Sequence, residues 1–484
     1  MVGLYAGLIF YIAATFLISV WSAYKKKQKT AEGFIVGDRN YGSVVTAFSM
    51  GTTLASGFAF IGLVGMGYTL GLVATWQCIF GCVLEFLCWF FLAKKLRQLS
   101  IKTETVTPIE AMGKLKGDPG NLIKIVGGLM IGLFMVFYLA GQFSAGSKAA
   151  IAMELDPQIV AIAVAVLTVA FIFLGGVDAA MWTNAIQGMI MVIAFGVLVF
   201  IALSKVGGFS GLFGGLAQTA PELIQWNNGR VTGSAWFYIF NYWLGSAMGF
   251  LAQPQALQKY LTIKSEQKIK ASCLMSIIFN VIRQLGPVII GMCCRLIYPE
   301  LADPETAIPV MIVNLMPNFF GGVLMAGIFA AVMSTTESLL LQSTSELSRN
   351  FLQKGVWAKK NISESTYAHI VRLLTVIIGL GGLYISMNAS SGVFTMIIFA
   401  WTGLFTSIGP ALYLGLFWKK CTSQGILAGV LTGIPATTLW YTFLKPATGV
   451  HEAYSVIVPL IAVIGVSLAT QHIPQQENYA SVLD

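Results

Sequence analysis

Hydroxyl side chains are concentrated in one apolar stretch, residues 327–350, GIFAAVMSTTESLLLQSTSELSRN. Four of its positions, 331, 334, 335 and 338, follow the 3, 4, 7 spacing of one helix face. A helix would therefore align the carbonyl of Ala331 with the hydroxyls of Ser334, Thr335 and Ser338. Hard cations prefer oxygen ligands, so the stripe indicates half of a Na⁺ site. Interhelical hydrogen bonding, worth about 0.6 to 2 kcal/mol per residue, explains a single hydroxyl better than a whole stripe.

A second stretch, residues 46–67, offers the other half of such a site. It is long and apolar enough to lie in a bilayer, yet it has glycines at positions 51, 57, 62, 65 and 67. Glycine weakens a helix by roughly 1 kcal/mol relative to alanine, and the hydroxyls of Thr52, Thr53 and Ser56 can satisfy backbone groups freed by a break. Broken membrane helices often form ion or solute sites. Close packing of two helices on a small-residue stripe is the alternative.

Composition places these stretches in a polytopic membrane protein. Of the 484 residues 56% are hydrophobic and 10% charged, and the mean hydropathy is +0.78. The net charge of +9 comes from lysine clusters between apolar spans, as the positive-inside rule expects, rather than from a nucleic-acid surface. The seven cysteines show no metal-binding spacing with the three histidines. No phosphate-binding loop motif is present, which argues against an ATP-driven pump.

Thirteen apolar runs can each cover about 20 residues. They begin near Val2, Tyr41, Leu72, Leu122, Gln158, Ala179, Ala235, Ala271, Phe319, His369, Val393, Gly425 and Ala453. Lysines 25, 26, 27 and 29 predict a cytoplasmic loop after the first span. We therefore expect an external N-terminus and a cytoplasmic tail from Gln471 to Asp484, in the plasma (bacterial inner) membrane.

Two ionisable residues lie inside apolar spans, Glu85 and Arg283. Each costs about 2.5 to 3.5 kcal/mol at mid-membrane on insertion scales, so each should be paired or functional. The fork of donors on Arg283 suits a solute carboxylate. A structural ion pair between Arg283 and Glu85 is the alternative.

Several motifs in order resemble the sodium:solute symporter family. They are Gly37-Asp38-Arg39, Ser49 to Gly57, Leu174-Gly175-Gly176, Trp182 to Gln187, Gln253-Pro254, Ala330 to Thr335, and Gly415 to Lys420 with Thr422 and Gly425. Within the family the chain looks closest to the bacterial proline and pantothenate permease branch. The resemblance implies an all-α, LeuT-like fold with two inverted five-helix repeats in a single transporter domain. Residues 1–40 would be accessory, 41–204 and 234–420 the repeats, and 421–484 two further helices and a tail.

The resemblance also implies the ligands of two cation sites. For the main Na⁺ site they are the carbonyls of Thr52, Ala55 and Ala331 and the hydroxyls of Ser334 and Thr335. A possible second cation or proton site would comprise Asn184, Glu337 and Ser338. Many relatives have an aspartate where this chain has Asn184, so the carboxylate of such a site would come from Glu337 on the opposite span instead. Glu337 could instead carry a coupling proton, or be a charge facing the cytoplasm.

The candidate solute-binding residues are spread over the chain. They are Ser56, Gly57, Gln77, Gln142, Phe250, Arg283 and Trp401, with Tyr138 as a weaker candidate. Proline permeases carry an aspartate at the position of Leu54, and a tryptophan and a tyrosine at those of Ser246 and Phe250. These departures argue against proline as the solute.

The sequence therefore predicts a Na⁺-driven symporter for a small polar organic solute bearing a carboxylate, such as an amino acid, pantothenate or another organic acid. Its partners would be that solute, Na⁺ and the bilayer, with no other cofactor and a monomer as the working unit. H⁺ coupling or a sugar-type solute on the same fold is the nearest alternative. A transporter-like sensor or channel is the alternative from another class. An enzyme is not expected, because the sequence shows no nucleophile with a matching base.

Overall fold

The computed structural model of the chain describes residues 2–25, 39, 41–360, 362–475 and 479, without the side chains of 171–180 and of parts of the first helix. In these ranges the regular structure is helical, apart from one isolated bridge between Tyr41 and Ile263. The predicted all-α class is confirmed. Lysines 26, 27 and 29, the Gly37-Asp38 part of the first motif, and residues 476–478 and 480–484 of the tail lie outside the described residues.

Twenty α-helices follow one another along the described chain. They are α1 Val2–Lys25, α2 Ser43–Gly57, α3 Leu63–Leu70, α4 Thr75–Cys88, α5 Lys94–Thr103, α6 Pro108–Lys116, α7 Leu122–Ala152, α8 Pro157–Val206, α9 Gly208–Thr219, α10 Thr232–Tyr238, α11 Gly245–Ala247, α12 Pro254–Thr262, α13 Gln267–Ile297, α14 Ala307–Leu315, α15 Asn318–Ser345, α16 Glu364–Asn388, α17 Val393–Phe417, α18 Ser423–Leu439, α19 Lys445–Thr448 and α20 Ile457–Ala469. Wider π turns at Phe58–Gly62, Ile239–Leu244 and Glu346–Val356 extend α2, α10 and α15.

In the described residues, nine helical segments are long and apolar enough to cross a membrane. One of them, Ser43–Thr103, carries two of the predicted spans, which are joined at Gly71. Gly71 has φ +67°, and a Cβ there would lie 2.1 Å from the carbonyl oxygen of Leu223. The fifth and sixth predicted spans both lie in α8, and the predicted seventh span is divided among shorter helices.

Helix α4 shows how the bundle meets lipid. Ile79, Val83 and Phe86 repeat at helical spacing and are each about half exposed. The opposite face is buried and carries the polar side chains of Gln77 and Glu85. The usual arrangement in a water-soluble helix is reversed, because lipid solvates the apolar face and the polar groups can be satisfied only inside the bundle.

Two helices are interrupted where the site forms. In the first, Ser56 has φ 52° and ψ −174°, and its hydroxyl accepts a hydrogen bond from the Phe58 N–H at 3.0 Å. The second interruption, at Ala252 and Gln253, separates the 3₁₀ turn Met248–Leu251 from α12. Gln253 is extended because it precedes Pro254, whose ring excludes the helical conformation at the preceding residue.

The ends of the two broken helices are tied together. The backbone N–H of Lys264, just after α12, donates to the carbonyl of Tyr41, just before α2, at 3.0 Å. Arg97 donates to the carbonyls of Ile263 and Lys264, both at 2.8 Å. The broken helices are therefore coupled at this end.

A salt-bridge cluster joins α6, a short helix outside the membrane-spanning segments, to the π extension of α15. Glu110 on α6 accepts from Arg349 at 2.9 Å and pairs with Lys354 at 2.6 Å. Burial opposes ionisation of Glu110, but these two positive charges outweigh it and hold the pKa of that carboxyl below its usual range. The helix that carries the hydroxyl stripe is thus anchored beyond the site.

Close contact between α3 and α13 depends on glycine. A Cβ on Gly291 would lie 2.3 Å from the Val64 carbonyl oxygen, whereas one on Gly196 would have nothing within 4 Å. We expect Gly291→Ala to lower the unfolding temperature, since overpacking costs about 1 to 3 kcal/mol. Gly196→Ala, the matched control, should leave it unchanged or raise it, because alanine favours helix by up to about 1 kcal/mol. Thermal unfolding in detergent compares them, and equal midpoints would contradict this account of the packing.

Candidate cation and solute site

The hydroxyl stripe of α15 faces the interrupted helix α2. The Thr335 hydroxyl donates to the carbonyls of Thr52 at 3.4 Å and Thr53 at 3.2 Å. The Ser334 hydroxyl donates to the carbonyl of Ala331 at 3.1 Å. All of these residues are fully buried. The structure thus brings oxygens from both predicted halves of the main cation site into one place.

The break in α2 supplies the remaining oxygen. The carbonyl of Ala55, the residue before the non-helical Ser56, accepts a local bond from the Phe58 N–H. A carbonyl oxygen has two lone pairs, so one bond does not exhaust it. These residues fit a small hard cation, since their donor set consists of neutral oxygens only.

A third helix, α8, closes the site from the side. The Thr52 hydroxyl donates to the carbonyl of Asn184 at 2.8 Å. The approach requires Gly188, because a Cβ there would lie 2.4 Å from the Thr52 hydroxyl oxygen. Helix α8 can therefore contact α2 closely, because the hydroxyl of Thr52 meets a glycine at position 188.

The residues of the predicted second site also meet. The Asn184 amide donates to the Ser338 hydroxyl at 3.2 Å, and that hydroxyl lies 3.2 Å from the Thr53 hydroxyl. Glu337, on the same helix as Ser338, is buried. Lys259, on α12, is buried as well, and its ammonium donates to the Met181 sulfur at 3.4 Å.

Sequence reasoning missed Lys259. Its position could have indicated a buried lysine, because it lies only five residues after Pro254, at which α12 begins. In the sequence this lysine looks like part of the basic loop that follows, and only the packing of α12 places it inside the bundle.

Aromatic rings surround the broken part of α2 on the other side. The Trp401 ring centroid lies 4.8 Å from that of Phe58, 4.9 Å from that of Phe250 and 5.9 Å from that of Tyr138. Gly249 allows this contact, since its Cβ would lie 2.6 Å from that of Trp401. These rings form the apolar wall beside the interruption.

Arg283 reaches the same region from α13. Its guanidinium donates to the Leu54 carbonyl at 3.0 Å, lies 3.4 Å from the Glu85 carboxylate, and sits 5.3 Å from the Phe250 ring centroid. Glu85 also accepts from Ser276 and Asn280. Arg283 is therefore paired with Glu85, the structural alternative, and also contacts the broken helix; its binding of a solute carboxylate stays a prediction.

Several buried donor groups of the predicted solute-binding residues lack an acceptor in the described structure. They are Nε of Arg283, the amide nitrogens of Gln77 and Gln142, the indole nitrogen of Trp401 and the hydroxyl of Tyr138. The other ends of the two amides are engaged: the Gln142 oxygen accepts from the Gly57 N–H at 2.9 Å, and the Gln77 oxygen accepts from the Ser246 hydroxyl. An unpaired buried donor costs about 1 to 3 kcal/mol, so a ligand with acceptor atoms would relieve the cost.

The site residues thus separate into two neighbouring groups. The predicted cation ligands lie between α2, α8 and α15, and the predicted solute-binding residues lie between α2, α4, α7, α13 and α17. Ser56 and Gly57 lie at the junction of the two groups. A bundle of membrane helices with two interrupted helices around paired sites of this kind is the architecture of a secondary transporter.

Comparison with known proteins defines the family. The family model described as "Sodium:solute symporter family" matches residues 34–433. The chain belongs to this family and is a multi-pass membrane protein of the Na⁺-coupled symporter class, which confirms the predicted family.

Two similar relatives are sodium/proline symporters of Staphylococcus aureus. One is 29% identical over 460 residues, covering 93% of this chain and 89% of the relative. The other, from strain JH9, is 28% identical over 461 residues with the same coverage of both chains. The similarity extends over almost the whole transporter.

Two solved structures share the fold. A substrate-bound, outward-open Na⁺-coupled sialic acid symporter has a TM-score of 0.79 at 19% identity, covering 97% of this chain and 98% of that one. A nucleobase-cation-symport-1 family transporter, closed with bromovinylhydantoin bound, has a TM-score of 0.57 at 13% identity, covering 92% and 96%. The LeuT-like fold predicted from the sequence is confirmed.

Proposed function

We propose that the protein couples the inward movement of Na⁺ to that of a small organic solute with hydrogen-bond acceptors, a carboxylate being the best fit. The observation that carries this proposal is a set of unpaired donors: Gln142 and Arg283, which contact the interrupted helix α2, and Gln77, which contacts Ser246 before the second interruption. Amino acids, pantothenate and other organic acids have such acceptors. Proline itself is disfavoured, because Leu54 supplies no carboxylate for an amino group and Phe250 no phenol.

In the proposed cycle, Na⁺ binds between α2 and α15. Its ligands would be the carbonyls of Thr52, Ala55 and Ala331 and the hydroxyls of Ser334 and Thr335. The ion would hold the two helices together and fix Ser56 and Gly57, where the solute candidates meet. Binding energy of the ion would thus favour the conformation that takes up the solute. The solute would leave chemically unchanged, so the protein would act as a transporter and not as an enzyme.

The proposal includes an orientation and a domain organisation. The N-terminus would lie outside and the C-terminus in the cytoplasm of a bacterial inner membrane. The two repeats would comprise residues 41–204 and 234–420. Their first helices are the two interrupted ones, which is the placement expected for inverted repeats around a central site. A single chain would contain the complete pathway.

A solute screen in proteoliposomes tests the proposal. We expect accumulation of one carboxylate-bearing solute under an inward Na⁺ gradient, and loss of accumulation when K⁺ replaces Na⁺ or an ionophore collapses the gradient. Proline, pantothenate and a hexose should be included. Accumulation driven equally well by a proton gradient without Na⁺, or of the hexose alone, would contradict the proposed coupling or solute class.

A further inference from the structure

Two unpaired donors of the proposed solute site lie at the two ends of a chain of contacts. At one end, the Gln142 oxygen accepts from the Gly57 N–H at 2.9 Å, and the Gln142 amide nitrogen has no acceptor in the described structure. At the other end, Arg283 donates through Nη1 to the Leu54 carbonyl at 3.0 Å, and its Nε likewise has no acceptor there. Both side chains are fully buried, so a ligand bound to them is shielded from water.

Three aromatic rings connect these two ends. The Trp401 ring centroid lies 4.8 Å from that of Phe58, the residue after Gly57, and 4.9 Å from that of Phe250. The Phe250 ring centroid lies 5.3 Å from the guanidinium carbon of Arg283. The chain of contacts therefore offers hydrogen-bond donors at its ends and an apolar wall between them.

Negative charge is scarce around these donors. Within the five described helices that carry the predicted solute-binding residues, α2, α4, α7, α13 and α17, Glu85 is the only carboxylate. Its two oxygens already accept from Ser276, Asn280 and Arg283. The only unpaired amide oxygen on the same described helices is that of Gln284, and it is neutral. A buried ammonium group needs a paired carboxylate, and these helices offer none that is unengaged.

We propose that the transported solute is a carboxylate without an ammonium group, with an apolar body that packs on the Trp401 and Phe250 rings. Its carboxylate accepts from Arg283, and its remaining oxygen atoms accept from the amides of Gln142 and Gln77. Amino acids are thereby excluded. The inference rests on the proposed function and narrows its solute class.

Sodium supplies the counter-charge for such a solute. Glu85, 3.4 Å from the guanidinium, already offsets the charge of Arg283, so the solute carboxylate adds a negative charge that the protein does not balance. Leu54, whose carbonyl Arg283 contacts, directly precedes Ala55, a ligand of the proposed Na⁺ site. Ion and solute therefore neutralise each other beside the break in α2, and each raises the affinity of the other. An amino acid brings its own positive charge and gains less from the ion.

Matched pairs of solutes test the inference. Each pair compares an amino acid with the acid in which oxygen replaces the ammonium group: L-alanine with L-lactate, L-proline with tetrahydro-2-furoate, and L-phenylalanine with 3-phenyllactate. We expect Na⁺-driven uptake of at least one of the acids into proteoliposomes, at a rate at least about tenfold above that of its amino acid, because an unpaired buried charge costs more than one decade of affinity. An amino acid taken up faster than its partner would overturn the inference.

Gln142→Glu tests the assignment of the donors. Glutamate keeps the oxygen that accepts from the Gly57 N–H and puts a charged oxygen in place of the unpaired amide nitrogen. The ratio of the two uptake rates should therefore shift toward the amino acid by at least about tenfold. Gln142→Met, the control, removes the donor without adding a charge, so it should slow uptake of the acid without promoting the amino acid. An unchanged ratio in folded Gln142→Glu would contradict the proposal; if that variant does not fold, the wild-type ratio decides.

Failure of this inference is distinguishable from failure of the proposed function. Na⁺-driven uptake of an amino acid in preference to its partner would refute the inference and leave symport of a carboxylate intact. If none of the six compounds is taken up, the solute found by the proteoliposome screen decides. A carboxylate without an ammonium group supports the inference, and one with an ammonium group refutes it. A solute with no carboxylate refutes the proposed solute class and this inference with it.

Discussion

Thr335→Val is expected to raise the Na⁺ concentration for half-maximal uptake roughly ten- to one-hundredfold. Valine keeps the shape of threonine and removes the hydroxyl that contacts the carbonyls of Thr52 and Thr53. An interaction between a polar group and a charge contributes about 1.5 to 3 kcal/mol, which corresponds to that range. Thr335→Ser, which keeps the hydroxyl, should stay close to the wild type.

The next residue provides the matched control. Thr336 is equally buried, but its hydroxyl donates to the Val332 carbonyl of its own helix at 2.7 Å. Thr336→Val should therefore leave the Na⁺ dependence unchanged. Uptake measured over a range of Na⁺ concentrations, at constant ionic strength and normalised to the amount of protein in the membrane, compares the variants. Equal Na⁺ dependence in Thr335→Val and the wild type would refute the assignment of the main site.

The helix face that carries Thr335 could be predicted from the sequence. Ala331, Ser334 and Thr335 share a helix face by the 3.6-residue period alone, and that face meets α2 in the structure. The interruption of α2 was also predicted, from its glycines. Its non-helical residue is nevertheless Ser56, whose hydroxyl replaces a lost helix bond. Glycine content predicts that a helix can break, but the position of the break depends on a side chain, here Ser56, that can bond to the freed backbone N–H.

Long-range contacts could be predicted only where two rare charges stand in apolar spans. The pairing of Arg283 with Glu85, 198 positions away, was one of two alternatives on that ground, whereas nothing in the sequence indicates that Lys259 meets Met181, 78 positions away. No local pattern distinguishes a buried lysine from one in a basic loop, because the distinction depends on which helix packs against it. The second interruption carried a local signal, Gln253 before Pro254, yet a proline there also suits a loop.

The contact between Arg283 and Glu85 gives the second large effect. Arg283→Gln should lose uptake and also lower the amount of folded protein, since removing one partner of a buried ion pair costs about 3 to 5 kcal/mol. Glu85 would keep its hydrogen bonds from Ser276 and Asn280 but lose its counter-charge. Arg283→Lys should retain part of the uptake, because it keeps the charge without the fork.

Neutralising both partners separates folding from solute binding. In Arg283→Gln/Glu85→Gln no buried charge is left alone, so folded protein should return, as measured by monodisperse elution and thermal unfolding. Uptake should not return, because the donors that reach Leu54 and the solute are gone. Solute binding to the purified double variant, measured calorimetrically at saturating Na⁺, gives the deciding value. Wild-type affinity there would make Arg283 a structural residue and move the solute contact to Gln77 and Gln142, whereas affinity lowered at least tenfold, with Na⁺ binding intact, would place the guanidinium at the solute.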